Sequence, residues 1–450
     1  MKNLYTRFSK ANIVVRAMAV GWLAIMILLP FHAFISTWGG TTIGPLWAWK
    51  AWKEVLLATL VVLGFAQCFI DRELLGTLWH SWVTRLIVVY GILHVVIALV
   101  VGNQTDALVF GLAINLRIVS FLLVSEIVAY YLTPSRRELL YILLIPAGGV
   151  VLFGLLQMFV LPYDFLSWFG YKTNVTIAPY NTIDQQLNQL RAMSTLRGPN
   201  PLGAYLILPG IVLFWMTLEY LRKYRKKHLT PDLVRLVIAT SAFISLLVVL
   251  YSSHSRSAWL GFMAALGLYI FMRVSRTFKL ALLGIGVVGM LLVGGGIYQY
   301  RNTPFVQNVI LHDNPEIGPE ETSNQGHIDS LKQAVSDIAE RPLTGCAPGC
   351  AGPASFYDED GARLAENYYL QVGQEVGLLG LLLFAGISVL VGLELYRRRL
   401  NSMALILFVT LIGISVANLL LHVWADDTLA YVWWGVAGVV LVTPPRILNK

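Results

Sequence analysis

Residues 17–34 read AMAVGWLAIMILLPFHAF, an apolar run preceded by Lys2, Arg7, Lys10 and Arg16. Such a run is about long enough for a helix to cross the hydrocarbon core of a bilayer, which takes roughly 20 apolar residues at 1.5 Å of rise each. A cleaved secretory leader has a shorter apolar region followed by small residues at the cleavage point. Neither is present here, so the run reads as an uncleaved first membrane span.

The rest of the chain repeats the pattern. Of its 450 residues, 57% are hydrophobic and 13% charged, where a soluble domain carries about 25% charged residues. Mean hydropathy is +0.67. Apolar windows at 17–35, 52–70, 83–101, 107–132, 139–160, 202–221, 235–252, 257–272, 280–299, 368–395, 402–422 and 428–443 predict an all-α polytopic membrane protein of about twelve transmembrane helices. No stretch remains for a separate soluble domain of ordinary size. The windows divide the chain into 1–160 with helices 1–5, 161–300 with an outer loop and helices 6–9, a second outer loop over 301–367, and 368–450 with helices 10–12.

Charge tests the count. With the N-terminus inside, 22 of the 33 Lys and Arg fall on the inner side, ten fall outside, and Arg117 lies within a span. That is the bias of cytoplasmic loops. A missed span would move the later clusters, residues 222–227 and Arg397-Arg398-Arg399, to the wrong side, so both termini read as cytoplasmic. Lys50 and Lys53 run against the rule. The net charge of +8 is therefore topological. It calls for the bilayer as partner and for no nucleic acid. The second outer loop holds eleven acidic residues against four basic ones. Within it Ile328, Leu331, Val335 and Ile338 recur at helical spacing, which predicts an amphipathic helix ending before Arg341-Pro342.

Three polar segments stand where spans begin, all on the outer side of this topology. Arg191-Ala-Met-Ser-Thr-Leu-Arg197-Gly-Pro-Asn200-Pro-Leu-Gly203 precedes span six, Ser252-Ser-His254-Ser255-Arg256-Ser precedes span eight, and Ala365-Glu366-Asn367-Tyr368 precedes span ten. Arginine suits phosphate because its planar fork offers two parallel charge-assisted hydrogen bonds. Serines and backbone N–H groups at helix starts add anion donors. Arg191, Arg197 and Arg256 are thus candidates for holding a phosphate. The bland alternative is that they snorkel to the interface. Glu366 also has two readings, a carboxylate that stabilises a helix N-terminus by up to about 1 kcal/mol or a base that takes a proton from a hydroxyl.

Other polar residues point to structure. Arg117 and Glu126 fall nine residues apart in span four, on opposite faces, so each needs a partner on another span. His94 lies within span three and Cys68 within span two. Cys346 and Cys350 lie in the outer loop, where oxidising surroundings permit a disulfide, although their spacing does not show that the geometry closes. Two cysteines alone make a poor zinc site.

At these segments the sequence resembles the O-antigen ligase and polymerase superfamily of membrane glycosyltransferases, over roughly residues 190–385. The likeness rests on Arg191 with Gly198-Pro-Asn200-Pro-Leu-Gly203, then on Ser255-Arg256-Ser-Ala-Trp259. Further on, Pro342-Leu-Thr-Gly345-Cys-Ala-Pro-Gly349, Glu366-Asn367-Tyr-Tyr-Leu370 and Glu375-Val-Gly377-Leu-Leu-Gly380 fit the family pattern. One departure stands out, because ligases of this family usually have histidine where this chain has Glu366. The resemblance implies transfer of a glycan from an undecaprenyl-diphosphate donor to a glycan or glycolipid acceptor, outside the bacterial inner membrane, with no metal or other cofactor. Arg191 and Arg256 would hold the diphosphate and Glu366 would act as base, with inversion at the sugar carbon as the family precedent. Arg197, Asn200, Ser255, Asn367 and His254 would line the substrate site, and His254 and His422 are fallback bases.

Other readings keep the same spans. The same chemistry serves a ligase or a repeat-unit polymerase, and the long loop after span nine leans toward ligase. A transporter or flippase of lipid-linked sugar predicts polar residues at mid-membrane on broken helices and often internal repeats. No repeat is evident, and the polar residues gather at one surface. A non-catalytic scaffold leaves the three boundary segments unexplained.

Overall fold

A computed structural model describes residues 2–183, 186–303, 306, 323–358 and 363–444. Residues 307–322 of the predicted outer loop and the last six residues, with Arg446 and Lys450, lie outside these. The first half of the chain forms α1 (Lys2–Lys10), α2 (Ile13–Leu28), α3 (His32–Thr42), α4 (Leu46–Ile70), α5 (Arg72–His80), α6 (Trp82–Val100), α7 (Thr105–Leu132) and α8 (Arg136–Phe159). A hairpin of β1 (Asn181–Ile183) and β2 (Gln186–Arg191) follows, with Asn181 opposite Arg191. Next come α9 (Pro199–Lys227), α10 (Thr230–Ser252), α11 (Arg256–Arg273), α12 (Arg276–Gln299) and α13 (Ser323–Glu340). The chain closes with α14 (Tyr368–Arg397), α15 (Ser402–Asn418) and α16 (Asp427–Val442).

Among the described residues, eight segments are long and apolar enough to cross a membrane, namely Ile13–Thr42, in which α2 and α3 join through a turn at Pro30, then α4, α6, α7, α8, α9, α10 and α14. This is a multi-pass membrane protein. The other four expected spans are helical too, as α11, α12, α15 and α16. The sixteen and seventeen residues of α16 and α15 rise only about 25 Å, short of a core about 30 Å thick. They do not need to meet lipid along their length. Every residue of α16 from Thr428 to Leu441 is buried, as expected of a helix apolar on all sides. Trp424, Trp433, Trp434, Tyr431 and Phe121 fill the space around it.

Small residues set how helices register. Gly261 and Ala265 of α11 face Gly413 and Ala417 of α15. A methyl added at Gly413 would lie 2.3 Å from the Gly261 carbonyl oxygen, and one at Gly261 would lie 2.6 Å from that of Gly413. Paired small residues four apart let two membrane helices approach to backbone contact. This contact fixes the first turn of α11 beside the last turn of α15.

The helix expected in the outer loop is α13, and it ends at Glu340 as predicted. Its buried face differs from the expected one. Ala334 and Ile338 are buried, whereas Ile328 and Val335 are exposed. The reason is its neighbour α14, where Ile338 fits against Gly373 and the Gln374 amide donates to Asp337 at 2.6 Å. These contacts rotate the helix away from the face that apolar spacing favours.

α14 is broken. Val376 leaves helical geometry, and Gly377 has φ 71° and ψ −175°, a region essentially confined to glycine. The break frees carbonyls that a membrane interior cannot hydrate. The loop after α13 satisfies them, since the Cys346 N–H donates to Gln374 O at 2.8 Å and the Ala347 N–H to Glu375 O at 3.1 Å. In return the Leu378 N–H donates to Pro342 O at 2.8 Å. Gly349 lies directly on Ala107 and Gly111 of α7. Cys346 and Cys350 form a disulfide within this loop. The buried Glu375 carboxylate accepts from the amides of Asn115 and Gln371 and from the N–H groups of Gly349 and Ala351.

Candidate active site

The first two polar segments meet at one end of the bundle, where backbone bonds hold them, and the third is joined to the end of α15. Arg191 is the last residue of β2. Beyond it the Ala192 N–H donates to Ser252 O at 2.8 Å, and the Met193 and Ser194 N–H groups both donate to the Gln157 side chain. The Ser194 and Thr195 hydroxyls donate to Val150 O and Pro30 O. Glycine 203 closes the join, because a methyl there would lie 2.7 Å from Ala258 and about as near to Ser253 and Ser255. The first two segments are thus packed on each other.

The Arg191 guanidinium spans this contact. Its Nε donates to Ser253 O at 3.1 Å and its Nη2 to Asn200 Oδ1 at 2.9 Å. Burial, reinforced by the nearby positive charge of Arg256, lowers its pKa to about 10, so it remains charged at neutral pH. Two guanidinium groups therefore share one region, an arrangement that draws an anion. Asn200 orients Arg191. Ser255 is buried, with its hydroxyl 3.3 Å from that of Ser257 and no side-chain cap on α11. His254 lies beside Trp259, and burial together with Arg191 lowers its pKa.

The third segment reaches the same end through α15. Asn367 caps α14 by accepting from the Tyr369 and Leu370 N–H groups, and its own amide donates to Leu419 O at 3.3 Å. Leu419 follows the last turn of α15, the turn that the glycine contact sets beside Arg256. Glu366, immediately before this cap, has φ 50°, and His254, two residues before Arg256, has φ 49°. Such left-handed geometry is uncommon outside glycine and clusters at functional sites. Ser194 in the Arg191 loop shares it, as do Thr133, Asn174, His228 and Ala347 elsewhere among the described residues. Beneath Asn367, Tyr369 and Ser415 join hydroxyls at 3.0 Å beside an apolar groove of about 330 Å³ between α14 and α15.

Arg197 takes a different role from its neighbour. Its Nε lies 3.2 Å from Asp426, the N-cap of α16, and its side chain is 44% exposed. Asp426 begins a buried ionic network that sequence reading missed. Asp427 lies 3.3 Å from Lys53, Lys53 lies 2.9 Å from Glu54, and Arg117 lies 3.9 Å from Glu54 while donating to Ala425 O. Lys53 broke the charge rule because it is a buried partner rather than a loop charge. Arg117 finds partners on α4 and before α16, as its placement within a span demanded. The Asp426-Asp427 pair directly before a span was the available signal. Among the described residues no three His, Cys, Asp or Glu side chains gather as a metal site would require.

Among the described residues, eight segments able to cross a membrane, with polar segments gathered at one end, define the class as a multi-pass membrane protein. Residues 240–385 match the family model described as O-Antigen ligase, which supports a place in the O-antigen ligase superfamily. Arg256 and Glu366 lie within the matched residues, and Arg191, Arg197 and Asn200 precede them. No curated protein matches the chain.

Proposed function

We propose that this protein transfers a glycan from undecaprenyl diphosphate to an acceptor hydroxyl at the outer surface of the bacterial inner membrane. The observation that carries this reading is the shared location of Arg191 and Arg256 beside the uncapped N-terminus of α11. Fixed cations and helix N–H groups stabilise a diphosphate as its bond to the sugar breaks, the kind of preorganised electrostatics that supplies most of many rate enhancements. The acceptor oxygen bonds to the anomeric carbon, the carbon–oxygen bond to diphosphate breaks, and both electrons leave with the diphosphate. Glu366 takes the acceptor proton. The Cys346–Cys350 disulfide supports an outward location, since such bonds persist in oxidising compartments.

The test is to incubate purified protein with a labelled polyprenyl-diphosphate glycan and candidate acceptors and to find which acceptor gains mass. Arg256→Ala is expected to reduce transfer about 10²–10³-fold with thermal stability retained. Undiminished transfer by that folded variant would overturn the assigned diphosphate site.

A further inference from the structure

We propose that the cleft between α8, α9 and α10 binds an anionic phospholipid of the cytoplasmic leaflet. The cleft holds about 450 Å³ and is lined by apolar side chains such as Leu144, Val151, Leu213 and Ile238, with Tyr220 and Arg235 at one end. It is narrow at the other end, where Gly154 of α8 meets Val249 of α10. Farther along α8, a methyl added at Gly148 would meet nothing within 4 Å. The lining runs from Leu144 to Leu155 of α8, from Leu213 to Tyr220 of α9 and from Arg235 to Leu246 of α10, so Tyr220 and Arg235 mark the end nearer the start of α10.

Charge at that end selects the occupant. Arg235 lines the cleft, and Arg136, whose guanidinium lies over Trp215 of α9, belongs with Arg222, Lys223, Arg225 and Lys226 to the same end of these helices. Arg235 is 59% exposed even while 3.3 Å from Asp232, so its guanidinium can also meet a headgroup phosphate. A hydrocarbon-lined cleft closed by a cation, between transmembrane helices on the cytoplasmic side, is the form of an anionic-lipid site. The donor's own polyprenyl chain fits less well. Its diphosphate would sit at Arg191, at the opposite ends of these helices, and would leave the basic mouth without an anion. The site does not depend on what reaction the outer end performs.

The experiment uses full-length protein in phosphatidylcholine nanodiscs made with and without phosphatidylglycerol, followed by extraction and quantification of protein-bound lipid. Wild type is expected to enrich phosphatidylglycerol over its bulk fraction and to melt at a higher temperature in its presence. Arg235→Gln is expected to lower that enrichment about fivefold without changing the melting temperature in pure phosphatidylcholine. Ala242→Trp, which fills the cleft, is expected to abolish it. Equal retention of both lipids by wild type, or polyprenyl phosphate recovered in place of phospholipid from membrane-extracted protein, overturns the proposal. Unchanged enrichment in Arg235→Gln overturns it even if Ala242→Trp does not fold.

Discussion

The turns that start α11 and α14 are built alike up to a point and then diverge. Each places a left-handed non-glycine residue, His254 or Glu366, one position before its N-cap, Ser255 or Asn367. Asn367 closes its helix with two hydrogen bonds and adds a third to α15, whereas Ser255 makes no cap bond and leaves the α11 end open. An uncapped positive helix end beside two arginines suits an anion. A capped end removes that attraction and gives a firm base for a carboxylate. The difference teaches that equivalent positions at one membrane surface can be built for opposite charges.

Substitutions can break or sharpen this contrast. Glu366→Gln, measured by glycan transfer from a labelled lipid donor, is expected to cost about 10²–10⁴-fold, the range for losing a general base. Glu366→His should recover part of it, and full activity in the glutamine variant would remove Glu366 as base. Gly413→Ala forces apart the contact that sets the two turns side by side and should destabilise by about 1–3 kcal/mol in detergent melts. Gly267→Ala is its control on the same α11, because the added methyl meets nothing within 4 Å. Asn367→Ala should cost about 1 kcal/mol, seen as a lower melting temperature, and Asn367→Asp, which keeps the two cap bonds but not the one to Leu419, should restore part of it.

The smallest effect concerns pH. Burial, then Arg191, lowers the His254 pKa below 6.5, so the folded protein favours the neutral ring. Its contribution to stability is complete above pH 6.5 and is lost as pH falls from there through the lowered value. His254→Asn, which tolerates the left-handed backbone, should flatten that acid-side decline in melting temperature. An unchanged slope would show that the ring does not titrate with folding.

What the sequence made legible was whatever repeats or punctuates locally. Apolar windows located helices at all twelve expected positions, and the spacing of Ile328, Leu331, Val335 and Ile338 before Arg341-Pro342 found α13 with its end. The rotation of α13 was hidden because it answers to Gly373 and Gln374, on a helix whose start lies beyond the loop. The α11–α15 contact carries a Gly-xxx-Ala pair on each helix, but nothing local says which two helices meet. The ionic network showed only its Asp426-Asp427 pair and the need of Arg117 for a partner, since Lys53, Arg117, Arg197 and the two aspartates come from four distant segments. In the candidate site, the grouping of Arg191, Asn200 and the 252–256 turn followed from the motif segments. The burial of Ser255 and the pairing of Arg197 with Asp426 required coordinates.

The interrupted α14 has a consequence for protein engineering. Its exposed carbonyls are completed by residues 345–347, whose own shape is completed by α7 at Ala107 and Gly111. Residues 342–349, the stretch around 373–380 and that surface of α7 form a three-part joint with no self-sufficient component. A chimaera that imports a relative's outer loop must import all three parts together, and its seams belong outside them.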